Sequence, residues 1–245
     1  MSDSASALSG AGPWLATTLW FVLISVFAYL VGSIPSAYII VRAVTGEDVT
    51  AHGTGNVGAM NVRRTTGSWG WFVVAMIADI LKGFVPVMAA KLLAGLPPLQ
   101  PVGVWMADSD GGVVLAAAAP MVAVLGAVLG HNYSLWMAVK KRHFARTGKG
   151  LATGAGALLA YDWRYFIAVV VIGLTVIALT RYMLAGQVAA ALTLPLAALV
   201  LRSPDWPFAV LMGALVYGAH HRRFVGLLHG EEPKLYVNDR QGPRG

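Results

Sequence analysis

Residues 69–94 read WGWFVVAMIADILKGFVPVMAAKLLA. Apart from Asp79, Lys82 and Lys91 the run carries no charge, and as a helix it crosses the roughly 30 Å hydrocarbon core of a bilayer. A strand of a membrane barrel needs only about ten residues and alternates apolar with polar, which this run does not do. Backbone amides in lipid must find partners within their own segment, so a transmembrane helix is the remaining reading.

Comparable runs lie on either side. The expected spans are 14–41, 69–94, 112–139, 150–161, 164–180, 183–201 and 206–221, with the fourth short and glycine-rich. The fold class read from them is all-α integral membrane, with about seven transmembrane helices. Composition agrees: 57% of the 245 residues are apolar and 12% charged, against about 25% charged in soluble domains. No stretch is left for a separate soluble domain, so residues 1–245 read as one polytopic membrane domain, with 1–13 and 236–245 as flexible tails. The first 13 residues contain Asp3 and neither Lys nor Arg. They lack the basic start of a cleaved signal peptide, and the first span reads as a retained anchor.

The absence of cysteine excludes disulfide and thiolate chemistry. A net charge of +7 and a pI near 9.9 raise nucleic acid as a partner. The basic residues are scattered among apolar segments, however, which argues for no nucleic acid and for a basic cytoplasmic face. With the N-terminus outside and the C-terminus cytoplasmic, the inner segments hold 14 of the 18 Lys and Arg residues. They are Arg42, Arg63, Arg64, Lys140, Lys141, Arg142, Arg146, Lys149, Arg181, Arg222, Arg223, Lys234, Arg240 and Arg244. Lys91, Arg164 and Arg202 fall outside, and Lys82 lies within the second span.

Three of these inner segments hold more glycine and polar groups than a connector requires. The first is HGTGNVGAMNVRR, His52 to Arg64. Gly53, Gly55 and Gly58 allow close backbone approach, and the amides with Thr54, Asn56, Asn61, Arg63 and Arg64 suit an anion nest. The same composition also describes a flexible loop. The second, RTGKGLATGAG from Arg146 to Gly156, places Lys149 and Thr153 at a helix start, either as phosphate ligands or as a positive anchor with small residues for packing. The third is AHHRRFVGLLHGEEPKL from Ala219, where His220, His221 and Arg223 leave the last span as ligands or as interfacial anchors.

Within the spans, Asp79 and Lys82 sit three apart on one helix face. Charges at that depth are costly and mark function or an internal pair. His131 and Asn132, in GHNYS, present the same choice between ligand and interhelical hydrogen bond. Together the loops point to a small polyanionic cytosolic ligand meeting something lipid-like. A transporter of a phosphorylated metabolite would predict inverted repeats with broken helices in matching halves, and neither is visible in the sequence.

The ordered set GSIPSAY (Gly32 to Tyr38), HGTGNVGAMNVRR, ADILKG, GHNYS, TGKGLATG and a terminal histidine followed by GEEP resembles the bacterial acyl-phosphate:glycerol-3-phosphate acyltransferases, from about Ala28 to Leu235. The resemblance implies a seven-helix inner-membrane enzyme of phospholipid biosynthesis whose active site faces the cytoplasm. It moves a fatty acyl group from acyl phosphate to the sn-1 hydroxyl of glycerol 3-phosphate, giving lysophosphatidic acid and phosphate. By that resemblance Arg64, Lys149 and His220 are the catalytic residues. Ser33, Gly53, Thr54, Gly55, Asn56, Gly58, Asn61, Lys82, His131, Thr153 and Arg223 bind substrate, and no cofactor or metal is implied. The HxxxxD motif of acyl-CoA-dependent glycerolipid acyltransferases is absent. Four positions depart from the family pattern: Thr54 and Leu184 stand for serines, Met60 for a threonine and Arg223 for an asparagine, and the loop from Lys140 to Gly150 is longer than usual.

Overall fold

The computed structural model describes residues 3–94 and 115–230, excluding the side chains of 3–17, 94, 115–117, 219–223 and 228. The expected tail at 236–245 and the outer loop near 95–111 lie outside the described residues. The described chain is helical throughout and divides into two compact units, Met1–Tyr161 and Asp162–Gly245.

The first unit contains α1 (Asp3–Gly32), α2 (Ser36–Thr45), α3 (Ala59–Thr66), α4 (Trp69–Ala94), α5 (Leu115–Asn132), α6 (Leu135–Lys141) and α7 (Leu151–Tyr161). α1 starts at Asp3, so most of the stretch expected as a tail is helical; Ala5, Ala7, Leu8 and Ala11 favour that state. Two spans that read as continuous are interrupted. Between α1 and α2, Pro35 lacks an amide proton and disfavours helical geometry at Ile34. Between α5 and α6, Ser134 opens a new helix by accepting a hydrogen bond from the amide of Met137. The two breaks seal each other. Ser134 Oγ donates to the Ser33 carbonyl at 2.5 Å, and the Leu135 amide donates to Ser33 Oγ at 3.3 Å.

α1 packs on α5, and α4 packs on α7, through backbone contact. A Cβ at Gly83 would strike the Thr153 carbonyl, and one at Gly156 the Ile80 carbonyl. Gly32 and Gly130 likewise abut the carbonyls of Ala127 and Tyr29. Small residues at such crossings let helices approach where lipid offers no hydrophobic drive. α7 has 11 residues, about 16 Å at 1.5 Å per residue, shorter than the roughly 30 Å hydrocarbon core. Its C-terminal carbonyls at Ala160 and Tyr161 each accept from Lys91 Nζ at 3.0 Å.

The second unit is α8 (Trp163–Thr180), α9 (Met183–Val200) and α10 (Trp206–Leu228), with α9 packed against the other two. Among the described residues five helical segments are long and apolar enough to cross a membrane: Thr18–Thr45, Trp69–Leu93, Ala118–Lys141, Trp163–Thr180 and Met183–Val200. Leu151–Tyr161 and Trp206–Gly218 are apolar but shorter. The expected count of seven is therefore five by this measure, plus two shorter segments. Large side chains such as Leu199, Val200 and Leu179 stand exposed on these helices, as a lipid-facing surface requires.

Candidate active site

α2 ends at Gly46 in the left-handed conformation, φ 74°, and the chain turns back over a short 3-10 turn, Val49–Ala51. Asp48 caps that turn, accepting from the amide of Thr50 at 2.9 Å and its hydroxyl at 2.7 Å. Asp48 also pairs with Lys141 at 2.7 Å, tying the loop to the end of α6. Burial pushes the Asp48 carboxyl up, but hydrogen bonds from Lys141 and Thr50, with the Lys141 charge, bring it down to about 2.

The glycine turn follows. Gly53 (φ 55°) and Gly55 (φ 68°) occupy the left-handed region, which costs glycine nothing. A Cβ at Gly53 would fall on Asn61 Oδ1 and 3.3 Å from Arg64 Cδ, so both side chains close over this turn. Asn61 is buried; its Nδ2 donates to the carbonyls of Val49 at 2.8 Å and His52 at 3.0 Å. Its Oδ1 has no hydrogen-bond partner among the described residues. Thr54 is exposed, Asn56 half-buried, and Gly58 is extended just before α3. Arg64 is exposed beside this turn, whereas Arg63 lays its guanidinium over the Trp69 ring at 3.8 Å.

The second loop rests on the end of α5. The Thr147 amide donates to Asn132 O at 2.7 Å, and its hydroxyl to His131 O at 3.0 Å. Its carbonyl accepts from the amide of Val57 at 2.8 Å, which clips the two glycine loops together. Gly148 presses against the His131 ring, where a Cβ would overlap Nε2. Gly150 has φ 74° and leaves only 3.0 Å between an added Cβ and Asn132 Oδ1. Half-buried Lys149 stands between these glycines. In the first turn of α7, Thr153 is fully buried, and neither its Oγ1 nor Asn132 Oδ1 has a hydrogen-bond partner among the described residues.

Beneath the loops lies an ionic cluster. Asp79 and Lys82 pair at 2.9 Å with side-chain exposures of 3% and 6%. Lys82 Nζ also donates at 2.8 Å to the carbonyl of Ile34, in the α1–α2 break. His131 Nδ1 lies 3.9 Å from the Asp79 carboxylate.

The structure thus gathers Gly53, Thr54, Gly55, Asn56 and Gly58 in one loop, with Asn61 and Arg64 on the α3 helix that follows it, and clips that loop to the turn carrying Lys149. Ser33, Lys82, His131 and Thr153 are buried. The polar groups of Ser33 are engaged by Ser134 and Leu135. His220 and Arg223 belong to α10 in the second unit, and their side chains lie outside the description. Sequence reading passed over Thr147 and the Asp48–Lys141 pair; Thr147 carried a signal in its place directly before two glycines flanking a lysine.

The family model described as glycerol-3-phosphate acyltransferase matches residues 22–230. A glycerol-3-phosphate acyltransferase of Thermus thermophilus is 35% identical over 223 residues, covering 90% of this chain and 96% of that protein. The corresponding protein of Syntrophomonas wolfei is 34% identical, covering 86% of this chain and 94% of its own. Two crystal structures of PlsY (YgiH), an integral membrane glycerol 3-phosphate acyltransferase, superpose at 26% identity. The glycerol 3-phosphate form gives a TM-score of 0.68 over 89% of this chain and 96% of its own; the lysophosphatidic acid form gives 0.66 over 87% and 94%. The chain belongs to the glycerol-3-phosphate acyltransferase family.

Proposed function

We propose that this chain moves a fatty acyl group from acyl phosphate to the sn-1 hydroxyl of glycerol 3-phosphate, releasing lysophosphatidic acid and inorganic phosphate. The hydroxyl oxygen attacks the acyl carbon, the bond to the phosphate oxygen breaks, and phosphate departs with the electron pair. Acyl phosphate is already an activated mixed anhydride, so no enzyme nucleophile is needed. The hydroxyl proton goes to His220 or to a substrate phosphate. Arg64 and Lys149 neutralise charge gathering on the departing phosphate, and the Gly53–Asn56 turn cradles it through backbone amides. Thr54, Gly58, Asn61 and Thr153 line this cradle, with Ser33, Lys82 and His131 beneath it. Arg223 adds a further phosphate contact.

One observation carries this reading: the Val57–Thr147 hydrogen bond joins the Arg64 loop to the Lys149 turn. Two cationic, glycine-rich segments far apart in sequence thereby share one locality, as a reaction with two phosphorylated substrates demands. Joined loops lie on the same membrane side, and the 14-to-3 excess of basic residues favours the cytoplasmic side. We accordingly place the N-terminus outside, the C-terminus inside, and all seven apolar segments in a bacterial inner membrane. The family match runs across both compact units, which supports treating them as one functional domain.

The test is phosphate release from palmitoyl phosphate by the purified protein, with and without glycerol 3-phosphate, and with palmitoyl-CoA as rival donor. Release that depends on the acceptor and occurs only with the acyl phosphate supports the reading. With palmitoyl-CoA the leaving group is the CoA thiol, so that arm is read as free thiol, and acceptor-dependent thiol release there overturns the donor. Arg64→Ala and Lys149→Ala should each cut turnover roughly 10²–10³-fold, the usual loss on removing one preorganised donor; near-normal rates would overturn those assignments.

A further inference from the structure

A Lys–Asp pair inside a membrane helix that served only to neutralise itself would need no further partners. This pair has them on both sides. Lys82 reaches across to the Ile34 carbonyl at 2.8 Å, a backbone acceptor that the α1–α2 break leaves outside the regular helix ladder. Asp79 stands between Lys82 at 2.9 Å and His131 Nδ1 at 3.9 Å, the latter a packing contact longer than a hydrogen bond, and His131 Nδ1 has no hydrogen-bond partner among the described residues. The opposite edge of the His131 ring meets Gly148, with no room for even a methyl group. The His131 carbonyl holds the Thr147 hydroxyl. A continuous line of contacts therefore runs from the helix break, through Lys82, Asp79 and His131, to the turn that carries Lys149.

We infer that Lys82, Asp79 and His131 form a buried positioning element that fixes the Thr147–Gly150 turn, and so sets Lys149 against the departing phosphate. Lys82 anchors the carboxylate to the break. The carboxylate orients the imidazole, and the imidazole is the floor under Gly148. None of the three touches substrate; they act through Lys149, so the inference rests on the role proposed for that lysine. It gives Lys82 and His131 a task other than substrate contact, and it adds Asp79 to the residues on which the reaction depends.

The experiment is a double-mutant cycle on purified protein in nanodiscs, reading kcat and KM for palmitoyl phosphate together with the melting midpoint. Asp79→Asn keeps the shape and removes the charge. Lys149→Arg keeps the charge and leaves turnover to measure. The expected result is a folded Asp79→Asn protein whose kcat falls about tenfold or more. The combined variant should lose clearly less than the product of the two single losses, because Asp79 acts through Lys149. Losses that multiply, or unchanged kinetics in Asp79→Asn, overturn the inference. His131→Gln is the second variant and should show the same dependence on Lys149. If neither variant folds in nanodiscs, the cluster is a structural support alone and the inference is likewise overturned. Lys149→Ala separates the two levels: full activity there refutes the phosphate role of Lys149, whereas loss there with multiplying effects at Asp79 refutes only the positioning element.

Discussion

Asn61 offers the sharpest separation between holding a loop and holding a substrate. Its Nδ2 donates to the carbonyls of Val49 and His52, and the residue is 2% exposed. Asn61→Ala removes the side-chain donor from both carbonyls and leaves each with one backbone donor, the His52 amide at 3.4 Å on Val49 and the Gly55 amide at 2.9 Å on His52. Each lost hydrogen bond is worth about 0.5–1.5 kcal/mol net where the acceptor keeps another donor, so two bring about 1–3 kcal/mol. Asn61→Asp should cost at least as much, since it sets a carboxylate oxygen against two carbonyls. The strain falls on Gly53, which Asn61 covers, and so on the presentation of Arg64. The assay pairs thermal unfolding in detergent with steady-state phosphate release. The expected outcome is a lowered melting midpoint accompanied by loss of turnover, with Asn61→Ala milder than Asn61→Asp. An Asn61→Ala protein that melts like wild type but is inactive would refute loop support and make Asn61 a direct substrate ligand. One that both melts and turns over normally would refute any role for the two hydrogen bonds.

Gly83→Ala drives a methyl into the Thr153 carbonyl and should cost about 1–3 kcal/mol by overpacking, measurable as a lower melting midpoint with impaired turnover; wild-type behaviour would mean that the α4–α7 crossing is looser than described. The Asp48 carboxyl, held at about 2 against an ordinary 3.8, contributes stability that is present above the ordinary value and lost as pH falls from about 4 to about 2. The pair is partly exposed, so Lys141→Ala should remove only about 0.2–1 kcal/mol and flatten the acid limb of the stability curve; an unchanged acid limb would show that Thr50 alone holds the carboxylate down. Met60→Thr should raise turnover in the same phosphate-release assay, and no gain would indicate a pocket rebuilt around methionine.

The apolar runs made the helical membrane architecture legible because hydrophobic length is local information. The breaks at Ile34 and Tyr133 were not read, although Pro35 and Ser134 are ordinary signals for them. Within an apolar run their effect is masked, because neighbouring helices satisfy the exposed groups: Ser33 bonds to Ser134 and Leu135 only once both breaks exist. Lys91 read as an exterior charge, and its use as a cap for α7 depends on where that helix stops. The glycine loops were recognisable because positive φ favours glycine, yet the Val57–Thr147 clip joining them is a backbone bond that no side chain encodes. Arg63 and Arg64 illustrate the remaining gap. Neighbours on a helix point about 100° apart, so one reaches the glycine turn while the other stacks on Trp69.

The α4–α7 seam, where Gly83 and Gly156 set carbonyl against backbone, has a consequence for an enzyme that manufactures the material it sits in. A seam of backbone has no rotamers to exchange, so it does not loosen by degrees as side-chain packing does. When bilayer thickness shifts and α4 tilts to follow it, α7 is carried along as part of the same rigid piece. The turn at the head of α7 then travels with the pair, and its spacing from Asp79 and Lys82 on α4 stays independent of the surrounding lipid. The geometry proposed for catalysis is thereby insulated from the changing composition of the surrounding bilayer.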